Sequence, residues 1–316
     1  MKEFQIIEKY FKPLSKNSST SQNLDDDAAK ISLKSDEELI ISKDLAIENV
    51  HFLLKDGGFK IAKKLLYSNL SDLAACGARP AYYMLGFSKN NKLDASFYED
   101  FAKGLKSAQK EFDIDLIGGD TVYSENLVFS ITIFGIIKKS KNLLRNQAKD
   151  GDLIFVTNFI GDAYLARKYP EIYPKNNRHF FPIPRINFTQ KLLEKNLSKC
   201  ATDISDGLFA DLNNICKTSN LDAEIFLDKI PFSKIAKNFL SKNSKENILD
   251  LCSGGEDYEI IFTCNQKNKN KILALAKEMK LRVSSIGSLK KSKKPTVILF
   301  DKNQKKINIK KFGYEH

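Results

Sequence analysis

The sequence predicts an α+β chain of two domains, and three observations lead there. Its 316 residues exceed what one hydrophobic core usually serves, and 42% of them are apolar, enough for two cores. Stretches of strand character and stretches of helical spacing occur in both halves. A break from Lys138 to Leu143 separates residues 1–139, an N-terminal α/β-sheet domain, from residues 140–316, a larger α+β domain.

Taken in order, Phe4 to Phe11 sets Ile6, Ile7, Tyr10 and Phe11 at helical spacing, and Pro13 ends that helix. The Ser/Asn/Thr-rich run from Leu14 to Gln22 predicts a mobile loop leading into Asp25-Asp26-Asp27. Glu38 to Ser42 reads as a strand that delivers Asp44 at its end. Phe59 to Cys76 carries Ala62, Leu65, Leu66, Leu70 and Leu73 at three-to-four spacing, with Gly77 as its stop. A helix there puts Asn69 and Asp72 one turn apart on one face. Tyr82 to Phe87 reads as a strand and Ser96 to Phe112 as a helix. Ile114 to Ile117 is a short apolar strand leading into the Gly-rich turn Gly118-Gly119-Asp120. Leu127 to Ile137, β-branched and aromatic throughout, predicts a buried strand.

In the second half, Asp152 to Thr157 reads as a strand, followed by Gly161-Asp162 and a helix through Arg167. Pro170 to Pro184 is punctuated by proline and predicts irregular structure. Asp203-Ile204-Ser205-Asp206 precedes a helix from Gly207 to Lys217 with Leu208, Leu212 and Ile215 as its apolar stripe. Ser205 or Asp206 is the expected N-cap, a position that also receives phosphates. Ser253-Gly254-Gly255-Glu256-Asp257 opens into a strand from Tyr258 to Thr263. A helix from Lys271 to Lys280 and strands near Val283, Val297 and Ile307 complete the chain.

The formal charge of +12 comes from scattered Lys and reads as a solvated surface, without the basic stripe, interleaved aromatics or many Arg of a nucleic-acid binder. Five cysteines with no Cys-x-x-Cys pair point to a reduced, cytoplasmic chain. No signal-peptide layout and no apolar run near the ~20 residues of a membrane span is present, so a soluble protein without membrane partners is expected.

Acidic residues beside Ser, Gly or Asn carry the chemical signal. Asp25-Asp26-Asp27, Asp44, Asp72, Asp120, Asp203 and Asp206 offer oxygen ligands that suit a hard cation such as magnesium. Each alone reads equally as a cap or turn residue; the set together points to metal. Adjacent carboxylates repel unless a cation sits among them. There is no Walker sequence, no Gly-x-Gly-x-x-Gly, no Gly-x-Ser-x-Gly and no kinase signature. His51 and His179 are isolated in sequence and His316 is terminal, which argues against a His-based triad or zinc site. Carboxylates, Gly-rich turns and a few cations such as Arg145 are the equipment of phosphoryl transfer.

Seven motifs, in order and over nearly the whole chain, together resemble the thiamine-monophosphate kinase family. They are Asp26-Asp27-Ala28-Ala29, Ser42-x-Asp44, Val50-His51-Phe52, Asn69-Leu70-Ser71-Asp72-Leu73-Ala74-Ala75-x-Gly77-Ala78, Gly118-Gly119-Asp120-Thr121, Asp203-x-Ser205-Asp206-Gly207-Leu208 and Ser253-Gly254-Gly255-Glu256-Asp257-Tyr258-Glu259. The resemblance implies the fold shared with aminoimidazole-ribonucleotide synthetase, selenophosphate synthetase and the hydrogenase-maturation dehydratase: two α+β domains dimerised through the N-terminal sheets. The first would bind ATP and magnesium, and the second would complete the nucleotide and substrate site.

Carried over by position, Asp27, Ser42, Asp44, Asp72, Asp120, Asp203 and Asp206 would be ligands of Mg2+. Gly119, Asp120, Arg145 and Ser205 would meet ATP, and His51, Glu256 and Tyr314 the thiamine monophosphate, with the Tyr314 ring facing the cationic thiazolium. Lys43 departs from the family's usual Thr; an ammonium there is expected to displace one magnesium or to pair with Asp25, the alternative being that it points to solvent with its stem along the strand. The reaction implied is ATP-dependent phosphorylation of thiamine monophosphate. Selenophosphate synthesis would want a reactive cysteine in a Gly-rich N-terminal segment, whereas the first here is Cys76 in an apolar helix. The hydrogenase-maturation relative needs a C-terminal cysteine, and this chain ends Tyr314-Glu315-His316. A rival of another class is a non-catalytic, Lys-rich binding protein with a residual acidic pocket.

Overall fold

The computed structural model describes all residues except 17, 173–177, 243–246 and 315–316. Parts of two expectations, the loop at 14–22 and the irregular stretch at 170–184, and the terminal His316 therefore lie outside the described residues. Two compact units form: Met1–Leu73 with Ala78–Ser140, and Lys141–His316 with Ala74–Gly77.

The first unit contains α1 (Glu3–Ile6), α2 (Ser18–Ser21), β1 (Glu37–Ile47), α3 (Gly58–Cys76), β2 (Arg79–Lys89), α4 (Ala95–Phe112), β3 (Asp115–Tyr123) and β4 (Val128–Lys138), with the last residues of α3 counted in the second. Its sheet has the order β1-β4-β2-β3; only the β2–β3 pair is parallel. The opening helix passes into a π-turn at Ile7–Phe11. Pro13 does not end it but sits in a following 3-10 turn, where a missing amide is tolerated, and Ile6, Tyr10, Phe11 and Leu14 are buried. Helical turns fill 18–24, overlapping the run to Gln22 expected to be a mobile loop, and Thr20 and Ser21 are buried. The core is aromatic, with Phe87 stacked on Phe129 at 4.6 Å and edge-on to Phe101 at 5.2 Å.

Three strands differ from the sequence-based reading. Strand β1 continues past Ser42, so Asp44 lies within it, paired with Ile131 of β4. Strand β4 is buried on one face only: Phe129, Ile131, Ile133 and Ile137 are inside, while Val128, Ser130, Thr132, Phe134 and Ile136 are half-buried. Gly118-Gly119-Asp120 is not a turn but part of β3, just after a register irregularity opposite Tyr83 and Met84. Glycine is needed there for close approach: a Cβ on Gly119 would sit 2.1 Å from the Leu85 carbonyl oxygen.

The second unit contains β5 (Leu153–Thr157), α5 (Asp162–Lys168), α6 (Ile186–Glu194), β6 (Cys200–Asp203), α7 (Leu208–Ser219), β7 (Leu221–Phe226), α8 (Lys234–Lys242), α9 (Ile248–Cys252), β8 (Ile260–Cys264), α10 (Lys269–Glu278), β9 (Val283–Lys291), β10 (Val297–Phe300) and β11 (Lys306–Ile307). Its strands form one mixed sheet, β11-β10-β7-β9-β5-β8-β6. Alternation along β5 sends Ile154 and Val156 into the core that includes Leu208, Leu212 and Ile215 of α7. Phe155 stacks instead on Phe262, which meets Phe188 of α6.

Helix α7 begins differently from expectation. Neither Ser205 nor Asp206 caps it; Gly207 does, at φ 130°, with no side-chain cap. The amides leading into the helix are taken by Asp211 from its first turn: Oδ2 accepts from the amides of Ser205 (3.0 Å), Asp206 (3.1 Å) and Gly207 (3.2 Å). Asp211 belongs to the buried side of α7, between Leu208 and Ile215. Burial, and after it the charges of Asp203 and Asp206, push its pKa up to about 8.

Two measurements test these features. Gly119→Ala should destabilise the protein by at least about 2 kcal/mol in urea unfolding, because the methyl must separate β2 from β3. A carboxyl whose pKa is raised in the fold stabilises while protonated and loses that contribution as it ionises. With a chelator present, the wild type should therefore lose stability relative to Asp211→Asn from about pH 4 to about pH 8, with no further change above. Parallel pH curves for the two proteins would show that the amides compensate burial in full.

Candidate functional site

In the first unit, the period of two along β1 sorts the residues of Ser42-Lys43-Asp44. The Ser42 hydroxyl donates to Asp72 Oδ2 of α3 at 2.6 Å, and the Asp44 amide donates to Asn69 Oδ1 at 3.1 Å. Asn69, fully buried one turn before Asp72, is oriented by its own donation to the Leu65 carbonyl at 2.8 Å. Asn69 and Asp72 thus share one face of α3, as the helical spacing predicts, and that face meets Ser42 and Asp44. Lys43 points the other way, with its ammonium 3.3 Å from Ser130 Oγ and 3.4 Å from Thr132 Oγ1. The expectation that Lys43 displaces a metal or pairs with Asp25 is therefore wrong, because alternation carries it to the opposite face. Asp25 is held by Lys12 at 2.5 Å.

A cavity of about 170 Å³ lies between the acidic triplet and β3. Asp26, Asp27, Gly118, Gly119 and Asp120 line it with polar groups, and Phe11, Leu24, Leu85, Leu116 and Ile117 line it with apolar ones. The entry to the triplet is tightly bent: Gln22, Asn23 and Leu24 all have left-handed φ, between 53° and 59°. His51 follows β1 in a turn rather than lying in a strand. Its Nδ1 accepts the Ile47 amide at 3.1 Å, and its carbonyl accepts Lys64 Nζ at 3.0 Å.

In the second unit, three backbone segments are knitted together around Asp203, Ser205 and Asp206. The Ser-Gly-Gly loop docks through Glu256 N to the Ser205 carbonyl (2.7 Å) and Tyr258 N to the Ile204 carbonyl (2.8 Å). The chain end docks through Tyr314 N to the Asp206 carbonyl (2.8 Å), and the Phe312 carbonyl accepts from Ala210 N (3.1 Å). Glycine permits both contacts: a Cβ on Gly255 would meet the Ser205 oxygen at 2.5 Å, and one on Gly313 the Asp206 oxygen at 2.6 Å. Tyr314 is 39% exposed on this scaffold. Arg145 is exposed, and its Nε donates to Thr202 Oγ1 at 3.0 Å, beside Asp203 on β6.

Sequence reasoning missed several supporting groups. Asp211 carried a signal, since an acid on the apolar stripe of α7 must find donors. Glu259, buried, takes Arg185 Nε at 2.6 Å, Thr157 Oγ1 at 2.6 Å and Asn158 Nδ2 at 2.9 Å. Asp257 accepts the Gly161 amide at 2.8 Å and the Ala163 amide at 3.3 Å, closing the start of α5. His179, isolated in sequence, reaches Glu256 at 2.9 Å.

Among the described residues no three His, Cys, Asp or Glu side chains form a ready-made metal cage. The donors present are carboxylates and a hydroxyl, hard oxygens that fit magnesium, a cation that keeps several waters and takes one or two carboxylates together with substrate phosphates.

Residues 25–137 match the family model of the AIR synthase related protein N-terminal domain, and residues 177–300 that of its C-terminal domain. A thiamine-monophosphate kinase of Buchnera aphidicola subsp. Schizaphis graminum is 36% identical over 99% of this chain and 98% of its own length. The crystal structure of thiamine-monophosphate kinase from Stenotrophomonas maltophilia K279a superimposes with a TM-score of 0.82 at 30% identity, covering 95% of this chain and 96% of that one. AaThiL complexed with AMPPCP and TMP gives a TM-score of 0.77 at 26% identity, over 99% and 97% of the two chains. The ordered motifs, both domain matches and end-to-end identity agree: the chain belongs to the thiamine-monophosphate kinase family.

Proposed function

We propose that this protein is a kinase that transfers the terminal phosphoryl group of ATP to the phosphate of thiamine monophosphate, giving thiamine diphosphate. The observation that carries the reading is likeness over the full chain to thiamine-monophosphate kinases, one of which, AaThiL, was solved with an ATP analogue and TMP. The acceptor is a phosphate oxygen, already ionised near neutral pH, so a general base is unnecessary, in keeping with a site built from carboxylates. Transfer is in line and direct, without a phospho-enzyme.

Asp27, Ser42, Asp44, Asp72 and Asp120 in the first unit, and Asp203 and Asp206 in the second, would hold magnesium, which when bound neutralises the charge of the polyphosphate and of the acceptor. Ser42 and Asn69 orient Asp72 and the Asp44 backbone in advance. Residues 1–139 form the ATP and magnesium domain in this reading: the apolar side of the cavity beside Gly119 and Asp120 takes the base, and the acids at its rim face the phosphates. Residues 140–316 supply Arg145 and Ser205 to the nucleotide. His51, Glu256 and Tyr314 meet thiamine monophosphate.

The protein acts as a homodimer in this reading. The outer face of the four-stranded sheet exposes Ile41 at 57% and Leu45 at 51%, with Ile47 and Met84 beside the half-buried Val128, Phe134 and Ile136. A sheet face of this kind, apolar around a polar patch of Lys43, Ser130 and Thr132 and ending on an edge strand, fits a second copy of itself. A cytoplasmic location accords with five free cysteines, four of them buried. No helix among the described residues is long and apolar enough to cross a membrane.

A coupled assay of ADP release, run with thiamine monophosphate, thiamine and an aminoimidazole precursor side by side, should respond to the first alone; turnover of another acceptor in its place would reject the substrate assignment. In the same assay Asp44→Asn and Asp72→Asn should each lower kcat by about a hundredfold or more while circular dichroism stays unchanged. Near-normal rates at limiting magnesium would make the residue structural. For the dimer, Ile41→Lys combined with Leu45→Lys should halve the sedimenting mass, and a wild type that already sediments as a monomer at micromolar concentration would remove the assignment.

A further inference from the structure

Glu256 has a backbone conformation, φ 61°, that residues with a Cβ seldom adopt, and the loop keeps it there through the bond from its amide to Ser205. Its side chain is 16% exposed. Two donors from elsewhere in the second unit converge on one carboxylate oxygen, His179 Nδ1 at 2.9 Å and Arg167 Nη1 at 3.4 Å from Oε2. Both donors are anchored in turn. The His179 ring, 9% exposed, lies edge-on to Phe180 with centroids 4.7 Å apart. Arg167, near the end of α5, holds its guanidinium 6.0 Å from the Tyr164 ring centroid, and its Nη2 lies 3.5 Å from the Gly254 carbonyl. Gly254 lets Tyr164 come this close to the loop, since an added Cβ would be 2.5 Å from the ring.

We infer that His179 and Arg167 are positioning residues that fix the carboxylate of Glu256 for recognition of thiamine monophosphate. A carboxylate facing a cationic ring is useful only if its direction and charge are set before the ligand arrives, because otherwise binding must freeze its rotamers and replace its lost hydration. Arg167 offsets the charge that partial burial leaves poorly hydrated, and a ring nitrogen facing a carboxylate must carry the proton, so His179 donates through Nδ1. With Oε2 tied from two sides, the direction of Oε1 follows. Neither residue need touch the substrate. The inference rests on the reading that Glu256 contacts thiamine monophosphate.

Steady-state kinetics with each substrate varied separately test it. His179→Phe keeps a ring and removes the donor, whereas His179→Asn keeps an N–H where Nδ1 stood. The Phe variant should raise KM for thiamine monophosphate about tenfold and change KM for ATP by no more than about twofold. The Asn variant should recover most of the loss. Arg167→Met, at a more exposed position, should shift the same constant in the same direction, and provides the readout if the Phe variant does not fold. In a Glu256→Gln background, His179→Phe should add little. Equal defects in Phe and Asn variants, or parallel rises in both KM values, would overturn the positioning role in favour of general loosening. A rise with Glu256→Gln but none with His179→Phe or Arg167→Met would also remove it, leaving the Glu256 contact intact. No rise with Glu256→Gln would remove that contact, and the positioning role with it.

Discussion

Carboxylates held in a fold must find donors to be tolerable, and much of this protein's local structure answers that constraint. An anion without a partner loses hydration on burial and repels its neighbours. The chain meets the problem with neutral donors at some acids and with cations at others. Asp72 takes the Ser42 hydroxyl, Asp211 takes three backbone amides and Asp257 takes two. Glu259, by contrast, is neutralised by Arg185, and Asp25 by Lys12.

The same constraint explains why glycine is concentrated beside the acids. Carboxylates can be clustered on backbone only if loops approach each other closely, and side chains would hold them apart. Gly119 lets β3 run against the Leu85 carbonyl, Gly255 lets the Ser-Gly-Gly loop reach Ser205, and Gly313 brings the chain end onto Asp206. Within the second unit the last two of these contacts accompany backbone hydrogen bonds that lock two distant segments to the 204–206 loop, so the side chains of Glu256 and Tyr314 are presented from a fixed base. Phosphoryl transfer to an ionised acceptor asks for placement and charge neutralisation more than for proton transfer, and rigid presentation of oxygens serves that need.

What the sequence by itself determined was mostly periodic or ordered. The apolar spacing of Phe59 to Cys76 placed a helix, and with it Asn69 and Asp72 on the face that now meets β1. The ordered motifs led to the family, because a chain of short matches over the full length is far more specific than any one. Tertiary structure decided what depends on which backbone lies opposite. Lys43, one residue from Ser42 and Asp44, looked like part of the acidic group until pairing with β4 sent it to Ser130 and Thr132. Gly118-Gly119-Asp120 looked like a turn because glycine signals positive φ and close approach equally, and only the neighbouring strand distinguishes them. The partners of Glu256 and Glu259 came from segments up to about a hundred residues away. Local sequence sets a residue's conformation and face; the donor that satisfies a buried charge is chosen by the fold, because hydrogen bonding acts across space and carries no memory of sequence distance.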